Sequence, residues 1–231
     1  MRNLFLVCFS LVFTSVLGQS PRNLFQEGGG RVVLNKSSEI IGNDFIYDDW
    51  NKGLVVLDDS IFSVQDYLRY DVLLDRVLLK NMNNLEEIIE IDDNTLTGFS
   101  IIEHKNNIKH DFVSLKKINF LNEANNGFYE IVFNLQNTNY FIKKNLKEIY
   151  DPNKSKGTQI INNEPLKYED KVIYYIKNGE ELYVKVRLKK NDVLAVLNNN
   201  KSLVENYIKA NKIKFSKEAD VMKLVNYYYS L

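Results

Sequence analysis

The chain has a single cysteine, Cys8, and it lies inside an apolar N-terminal run. Once that run is removed no thiol remains, which excludes a disulfide framework, a cysteine nucleophile and a thiolate metal site. Histidine is almost as scarce, with only His104 and His110 present. An excess of one charge is also missing, because Lys+Arg and Asp+Glu are both 30. Loss of Arg2 with a leader leaves a net charge of −1, too weak a field to draw in nucleic acid or an anionic membrane from a distance. No His-Glu-x-x-His, no Gly-x-Ser-x-Gly and no phosphate-cradling glycine loop occurs, and Gly28-Gly29-Gly30 lacks the Lys-Ser/Thr that would follow in one. These absences leave no catalytic residue, no cofactor and no metal ligand to assign.

What is present begins with residues 1–18. Met1-Arg2-Asn3 supplies a positive start, and Leu4 to Leu17 is apolar apart from Ser10, Thr14 and Ser15. Val16-Leu17-Gly18 then meets polar Gln19-Ser20-Pro21. The pattern is that of a secretory signal peptide cleaved between Gly18 and Gln19, shorter than the ~20 residues of a membrane span. Val7 precedes Cys8, so the small residue expected before a lipidated cysteine is lacking. The expected location is periplasmic or extracellular. No later run approaches spanning length, so the mature chain has no transmembrane segment.

The remaining 213 of 231 residues suit one domain or two small ones, and 45% hydrophobic content with 14 Tyr and 13 Phe can build a substantial core. Residues 19–44 read as a flexible N-terminal arm whose Val32-Val33-Leu34 adds at most an edge strand. Residues 45–188 read as an antiparallel β domain. Phe62, Val64, Asp66, Leu68 and Tyr70 alternate, while Val72 to Leu79, Glu87 to Ile91, Leu96 to Ile102 and Phe112 to Phe120 read as short strands between Asn/Asp turns. Tyr129, Ile131, Phe133 and Leu135 share one face, with Glu130 and Asn134 on the other, which implies a sheet with one buried side. Val172, Tyr174 and Ile176 lead into Asn178-Gly179, and Leu182, Val184, Val186 and Leu188 follow, predicting a hairpin with a type I′ turn. Between these hairpins, residues 151–170 carry Pro152, Gly157 and Pro165 and read as a mobile loop, with a substrate-covering lid as the sharper alternative.

Residues 189–231 turn helical and are expected to pack on the same domain. Asn191 is placed to cap a first helix with Val193, Leu194 and Leu197 inward. Ser202 and Glu205 form a capping box for a second, with Leu203, Val204, Tyr207 and Ile208 in its stripe. Ser216 is placed to cap a third that carries Val221, Leu224, Val225 and Tyr228 at i, i+3, i+4, i+7. The fold class is therefore mainly β (α+β), an antiparallel sheet with two or three short C-terminal helices, either open and helix-covered or a sandwich.

The candidate chemistry is sparse. His104 and His110 flank a Lys-Asn-Asn turn, and a zinc centre there would need both plus Glu103 or Asp111; two surface histidines beside a turn is the plainer reading. Asp48, Asp49, Asp58, Asp59, Asp66, Asp71 and Asp75 cluster near Trp50, the acid-plus-platform ingredients of a glycosidase, yet Asp at strand ends ordinarily accepts backbone N–H bonds. Asp92-Asp93-Asn94 lacks the spacing of a calcium loop and reads as a turn. Lys185, Arg187 and Lys189 line one face of the last strand, able to hold an acidic group or simply to keep an edge solvated.

Several segments resemble a group of uncharacterised exported proteins common in Bacteroidetes: Trp50-Asn51-Lys52-Gly53 with Val55-Val56-Leu57-Asp58, Leu68-Arg69-Tyr70-Asp71 with Asp75, Gly127-Phe128-Tyr129-Glu130, Tyr174 to Gly179, and Tyr207-Ile208-Lys209-x-Asn211 with Leu224-Val225-x-Tyr227-Tyr228. The resemblance implies export and a shared strand-rich fold and assigns no activity. The expectation is an exported, non-catalytic protein whose partner is an envelope protein or a glycan. The alternatives are a carboxylate-dependent glycan hydrolase, which needs two acids facing across a cleft, and an apolar-ligand carrier, which needs an aromatic-lined cavity.

Overall fold

Phe62, Val64, Leu68 and Tyr70 are buried while Ile61 and Ser63 face outward, the alternation of a half-buried strand. This strand, β3 (Ser60–Asp71), belongs to a set with β1 (Gly30–Val33), β2 (Asn51–Leu57), β4 (Arg76–Asn81), β5 (Asn84–Ile91), β6 (Leu96–Ile102), β7 (Lys109–Leu115), β8 (Gly127–Leu135), β9 (Thr138–Tyr150), β10 (Lys167–Lys177) and β11 (Tyr183–Val186). They form one antiparallel sheet of 11 strands in the order β1-β5-β4-β3-β2-β6-β7-β8-β9-β10-β11. Three helices follow: α1 (Lys190–Val196), α2 (Lys201–Ala210) and α3 (Glu218–Tyr229). The computed structural model describes residues 30–33, 40–58, 60–81, 84–122, 124–152 and 164–231. Cys8, Gly18, Gln19, the Gly28-Gly29 pair, Asp59, the side chain of Asp66 and residues 153–163 of the expected loop lie outside the described residues. The class read from the sequence, mainly β with short C-terminal helices, is the one observed. Among the described residues no helix is long and apolar enough to cross a membrane.

The sheet is strongly curled. A strap, residues 40–47, bonds to both β10 and β3. Ile41 exchanges backbone bonds with Leu166 and Tyr168, while Ile46 N–H donates to Tyr70 O and Val72 N–H to Asp44 O. In a flat sheet β3 and β10 would stand about 29 Å apart. The chain from Ile41 to Phe45 reaches no more than about 14 Å. Even with a pairing distance of about 5 Å added at each end, the span falls short, so the sheet must bend toward the strap.

Register carries one row of side chains across the inner face. Phe62, Val55, Phe99, Phe112, Glu130, Lys143, Tyr174 and Val186 are successive cross-strand partners from β3 to β11. One end of the row lies in a core where Tyr70 meets Phe99 and Phe112 at ring distances of 5.2 and 5.4 Å. The other lies in a second core, where Phe141, Ile176 and Val186 pack against Val193, Val221, Leu224 and Val225 of the helices. Glu130 and Lys143 sit at the seam between them. On the outer face, Phe120, Tyr129, Ile142, Tyr175 and Tyr183 form a third, aromatic-rich cluster.

Several local expectations give way to side-chain chemistry. Residues 72–75, expected as strand, form a turn because Asp71 Oδ1 accepts the Leu74 N–H (3.0 Å) and Asp75 adopts φ 55°. The strand expected through Phe120 ends at Leu115, and a 3₁₀ turn, Lys117–Asn119, follows it, held by Lys116 N–H donating to Asn119 Oδ1 (2.8 Å). The last hairpin forms, but its loop is five residues rather than a two-residue type I′ turn. Asn178 Oδ1 accepts from Glu180 and Leu182 N–H (both 3.0 Å), and Glu181 takes the left-handed conformation (φ 63°). The three helices begin one or more residues away from the expected caps, after Lys189, Asn200 and Lys217, with no capping side-chain bond from those residues; Asn191 and Ser202 lie inside their helices and Ser216 precedes the third. Val221, Leu224 and Val225 are buried as expected, whereas Leu203 is exposed. Residues 167–170, assigned to the loop, are the start of β10, paired with β9.

Candidate functional site

Two polar clusters flank β9. The first is the seam. Glu130 Oε1 lies 2.8 Å from His110 Nδ1 and 3.2 Å from Lys143 Nζ, and Oε2 accepts from Asn145 Nδ2 at 2.7 Å. Lys143 also donates to Glu218 at the start of α3 (3.2 Å), and the Tyr47 ring of the strap lies 5.3 Å from that of His110. Burial pushes the Glu130 carboxyl up, but the His110 bond, the Lys143 charge and the Asn145 bond together hold it below the usual glutamate range. His110 Nε2 is buried without a hydrogen-bond partner among the described residues, a rare condition that costs about 1–3 kcal/mol. A cavity of about 240 Å³ adjoins the cluster, reaching from Tyr47 and Ile46 to Lys147, Asp170 and Val172. A histidine oriented by a carboxylate is half of an acid–base device, but among the described residues no serine, threonine or cysteine lines this cavity.

The second cluster stands behind a wider cleft. The β3–β4 turn brings Asp75 to the start of β8, where its Oδ2 meets Lys144 Nζ at 2.7 Å and its Oδ1 accepts from Tyr70 OH. Lys144 also donates to Phe128 O (2.9 Å), and its ammonium lies 5.1 Å from the Tyr129 ring centroid. Burial depresses the Lys144 pKa more than the Asp75 carboxylate restores it, and burial raises the Tyr70 and Tyr129 phenols. Gly127 is required here: its φ is 146°, and a Cβ would come within 1.8 Å of Asp75 Oδ2. Asp75 then forms one wall of a cleft of about 500 Å³, whose other polar walls are Asp93 and Asn94 from the β5–β6 turn, Ser114 and Lys116 at the end of β7, and Asn126. Four separate chain segments converge on it.

The residues singled out from sequence fall as follows. His104 is exposed in the β6–β7 connection, its N–H on Asn51 Oδ1, whereas His110, expected at the surface, belongs to the seam. Among the described acids near Trp50, Asp48 accepts from Asn43, Asp71 is fully buried against Arg76 (2.8 Å), and Asp75 alone reaches the cleft. Burial raises the Asp71 carboxyl despite bonds from Leu74 and Arg76. The Trp50 ring is occupied by Arg69 and Lys80 at 4.9 and 5.0 Å. Asp92 closes its own turn by accepting from Asn94 N–H and Nδ2. The edge strand β11 ends at Val186, so of the three basic residues expected along it only Lys185, exposed, lies on the strand; Arg187 beyond it binds Asp192 (2.6 and 3.0 Å) and Lys189 precedes α1. Around Tyr70 the curled interior is filled by stacked and edge-on rings, Phe99 and Phe112 lying 4.6 Å apart. Glu130, expected on the open face of β8, is buried because both faces of that strand are covered at its N-terminal end, where Phe128 and Tyr129 are buried too. Comparison with protein-family models, curated proteins and solved structures gave no match.

Proposed function

We propose that the chain is exported and acts without catalysis, binding a hydroxyl-rich envelope ligand such as a glycan in the cleft between the β3–β4 and β5–β6 turns. The observation that carries this reading is the convergence of Asp75, Asp93, Asn94 and Asn126 on one cleft of about 500 Å³, within the roughly 300–1,000 Å³ of small-molecule sites. Carboxylate and amide groups pair well with vicinal hydroxyls, and Leu96, Leu115 and Phe128 offer an apolar floor for the C–H face of a sugar. Asp75 is held from behind by Tyr70 and Lys144, so little order is lost on binding. The leader supports export, and N-terminal sequencing of the native product should begin at Gln19; an intact Met1 on a cytosolic species would end that half of the reading.

Calorimetry with maltose, cellobiose and N,N′-diacetylchitobiose at about 10 mM, enough to register millimolar dissociation constants, tests the ligand. Saturable binding lost in Asp93→Ala is the expected result; no heat from any of the three sugars rejects it. A second reading, glycan hydrolysis, is favoured by one fact, that two acids, Asp75 and Asp93, line the same cleft. Such a mechanism needs its carboxyls about 5–10 Å apart and turns over oligosaccharides. Released reducing ends that vanish in both Asp75→Asn and Asp93→Asn would establish it over simple binding.

A further inference from the structure

β9 pairs with β10 along nearly its whole length, but the other edge of β10 is covered only at its ends. At one end Ile41 of the strap exchanges backbone bonds with Leu166 and Tyr168; at the other, Tyr174 to Lys177 pair with β11. Gly42, at φ 94°, turns the strap away after that single bridge. In a strand the N–H and C=O of alternate residues leave toward the same edge. Asp170 and Val172 therefore direct theirs as Tyr168 and Tyr174 do, into the interval between strap and β11, where no described residue receives them. Residues 169–172 are all exposed, although the residues on either side of them are half-buried. The interval opens on the seam cavity, whose walls include Asp170, Val172, Ile46, Tyr47 and Val72.

Unpaired backbone groups at strand spacing select their own occupant, because an extended peptide returns a C=O and an N–H at each position. A second copy of this chain does not fit. β10 paired on itself about a twofold axis would set Asp170 against Asp170 or Lys171 against Lys171. Registers further along call on Tyr168 or Tyr174, which the strap and β11 already hold. We propose that the interval takes up an extended segment of another protein by strand addition, antiparallel to β10. Its side chains follow from the register. The residue opposite Val172 faces inward with it, and an apolar side chain there enters the cavity beside Ile46 and Tyr47. That space, about 240 Å³, exceeds the roughly 150 Å³ of a protein cavity that holds benzene, so a phenylalanine ring fits. The next residue leaves on the outer side beside Lys171 and is acidic, and the one after it is basic, meeting the 80% exposed carboxylate of Asp170. The partner segment thus reads apolar, acidic, basic. This site is independent of the sugar cleft and of export.

The probe is the peptide acetyl-Thr-Phe-Glu-Lys-Thr-amide, titrated to about 10 mM while the backbone amide signals of the intact protein are followed by NMR. Saturable shifts centred on Asp170 and Val172, with a millimolar dissociation constant, are expected. N-methylation of the peptide at Phe and Lys, the two residues that exchange bonds with β10, should weaken binding at least about tenfold. N-methylation at Glu, whose N–H points away from β10, should leave it unchanged. Asp170→Pro removes an N–H that nothing described accepts, so the urea midpoint should hold while peptide affinity falls at least about tenfold. Lys171→Pro, which removes an N–H directed at β9, should lower the midpoint. Asp93→Ala should abolish sugar binding and leave the peptide unaffected, so each reading can fail alone. Absence of shifts, or binding indifferent to methylation at Phe and Lys, overturns the proposal. So do Asp170 and Val172 signals that move with protein concentration in the absence of peptide, since a second copy would then hold the edge.

Discussion

Lys143 and Lys144 are consecutive residues of β9 whose side chains leave the strand on opposite faces, one into the seam and one behind the cleft. Lys143 meets two carboxylates, Glu130 and Glu218, while Lys144 meets one, Asp75, together with a backbone carbonyl. The consequence is visible in which partner bears the strain. In the seam the bonds outweigh burial, so the Glu130 carboxylate is held charged below its usual range. Behind the cleft burial outweighs the bonds, and the ammonium of Lys144 is the destabilised member. A buried ion pair is thus a well-compensated brace in one place and a less compensated support for a cleft-facing carboxylate in the other. The Glu130 and Lys144 side chains are equally buried, both 7% exposed, so the difference lies in the number of partners.

The largest break in this comparison should come from Glu130→Ala, which leaves Lys143, His110 and Asn145 without their common acceptor. A loss of about 3–5 kcal/mol is expected in urea unfolding. Gly127→Ala should cost about 2–4 kcal/mol, because its Cβ occupies the position of Asp75 Oδ2 and its backbone is one an L residue rarely adopts. The two lysines should then separate. Lys143→Met is expected to destabilise by about 1–2 kcal/mol, while Lys144→Met stays within about 1 kcal/mol, since Asp75 keeps the Tyr70 hydroxyl and is itself partly hydrated. Equal losses in the two variants would remove the distinction.

The pH dependence sharpens it further. A glutamate with a depressed folded pKa contributes stability that is present above its ordinary value of 4.5 and lost as pH falls through the folded value. Glu130→Gln should flatten that acid limb. Tyr70, Tyr129 and Tyr183 have raised folded values, so their contribution holds below the ordinary 10.0 and is lost as pH rises beyond it. Lys144, depressed, works the opposite way, adding stability as pH rises toward 10.5; with Tyr47, Tyr174, Tyr175 and Tyr229 also raised, seven phenols against one amine predict net alkaline unfolding. The smallest effect is Asp93→Ala, an exposed turn position, which should change stability by less than about 0.5 kcal/mol while ligand binding in the cleft is lost.

How far the sequence reveals this molecule depends on whether a residue answers to its neighbours in the chain or to distant ones. The strand β6, Leu96–Ile102, has the expected limits because alternation and flanking turns are local. The Asn178-Gly179 hairpin is likewise legible, although the Asn178 side chain, by accepting two N–H groups, selects a longer loop than the dipeptide suggests. The helix stripe through Val221, Leu224 and Val225 follows from spacing, but where each helix starts does not. Neither cluster is legible. His110 and Glu130 are 20 residues apart and meet through the pairing of β7 with β8, and Asp75 and Lys144, 69 apart, meet because the sheet curls. The one available hint, a glutamate in a strand whose flanking residues Phe128, Tyr129 and Ile131 are all apolar, signals burial on both faces only once the strap and the 116–126 segment are seen to cover them.

The strap itself constrains how the molecule can form. Its bridge from Ile41 to Lys167 joins positions 126 residues apart, a closure among the most demanding a chain of this size can make. A segment made early must wait for β10, nearly the last strand to be synthesised, before it has anything to hold. Under the proposed export, that delay keeps the polypeptide open while it is threaded through a membrane, and the fold locks only on the far side.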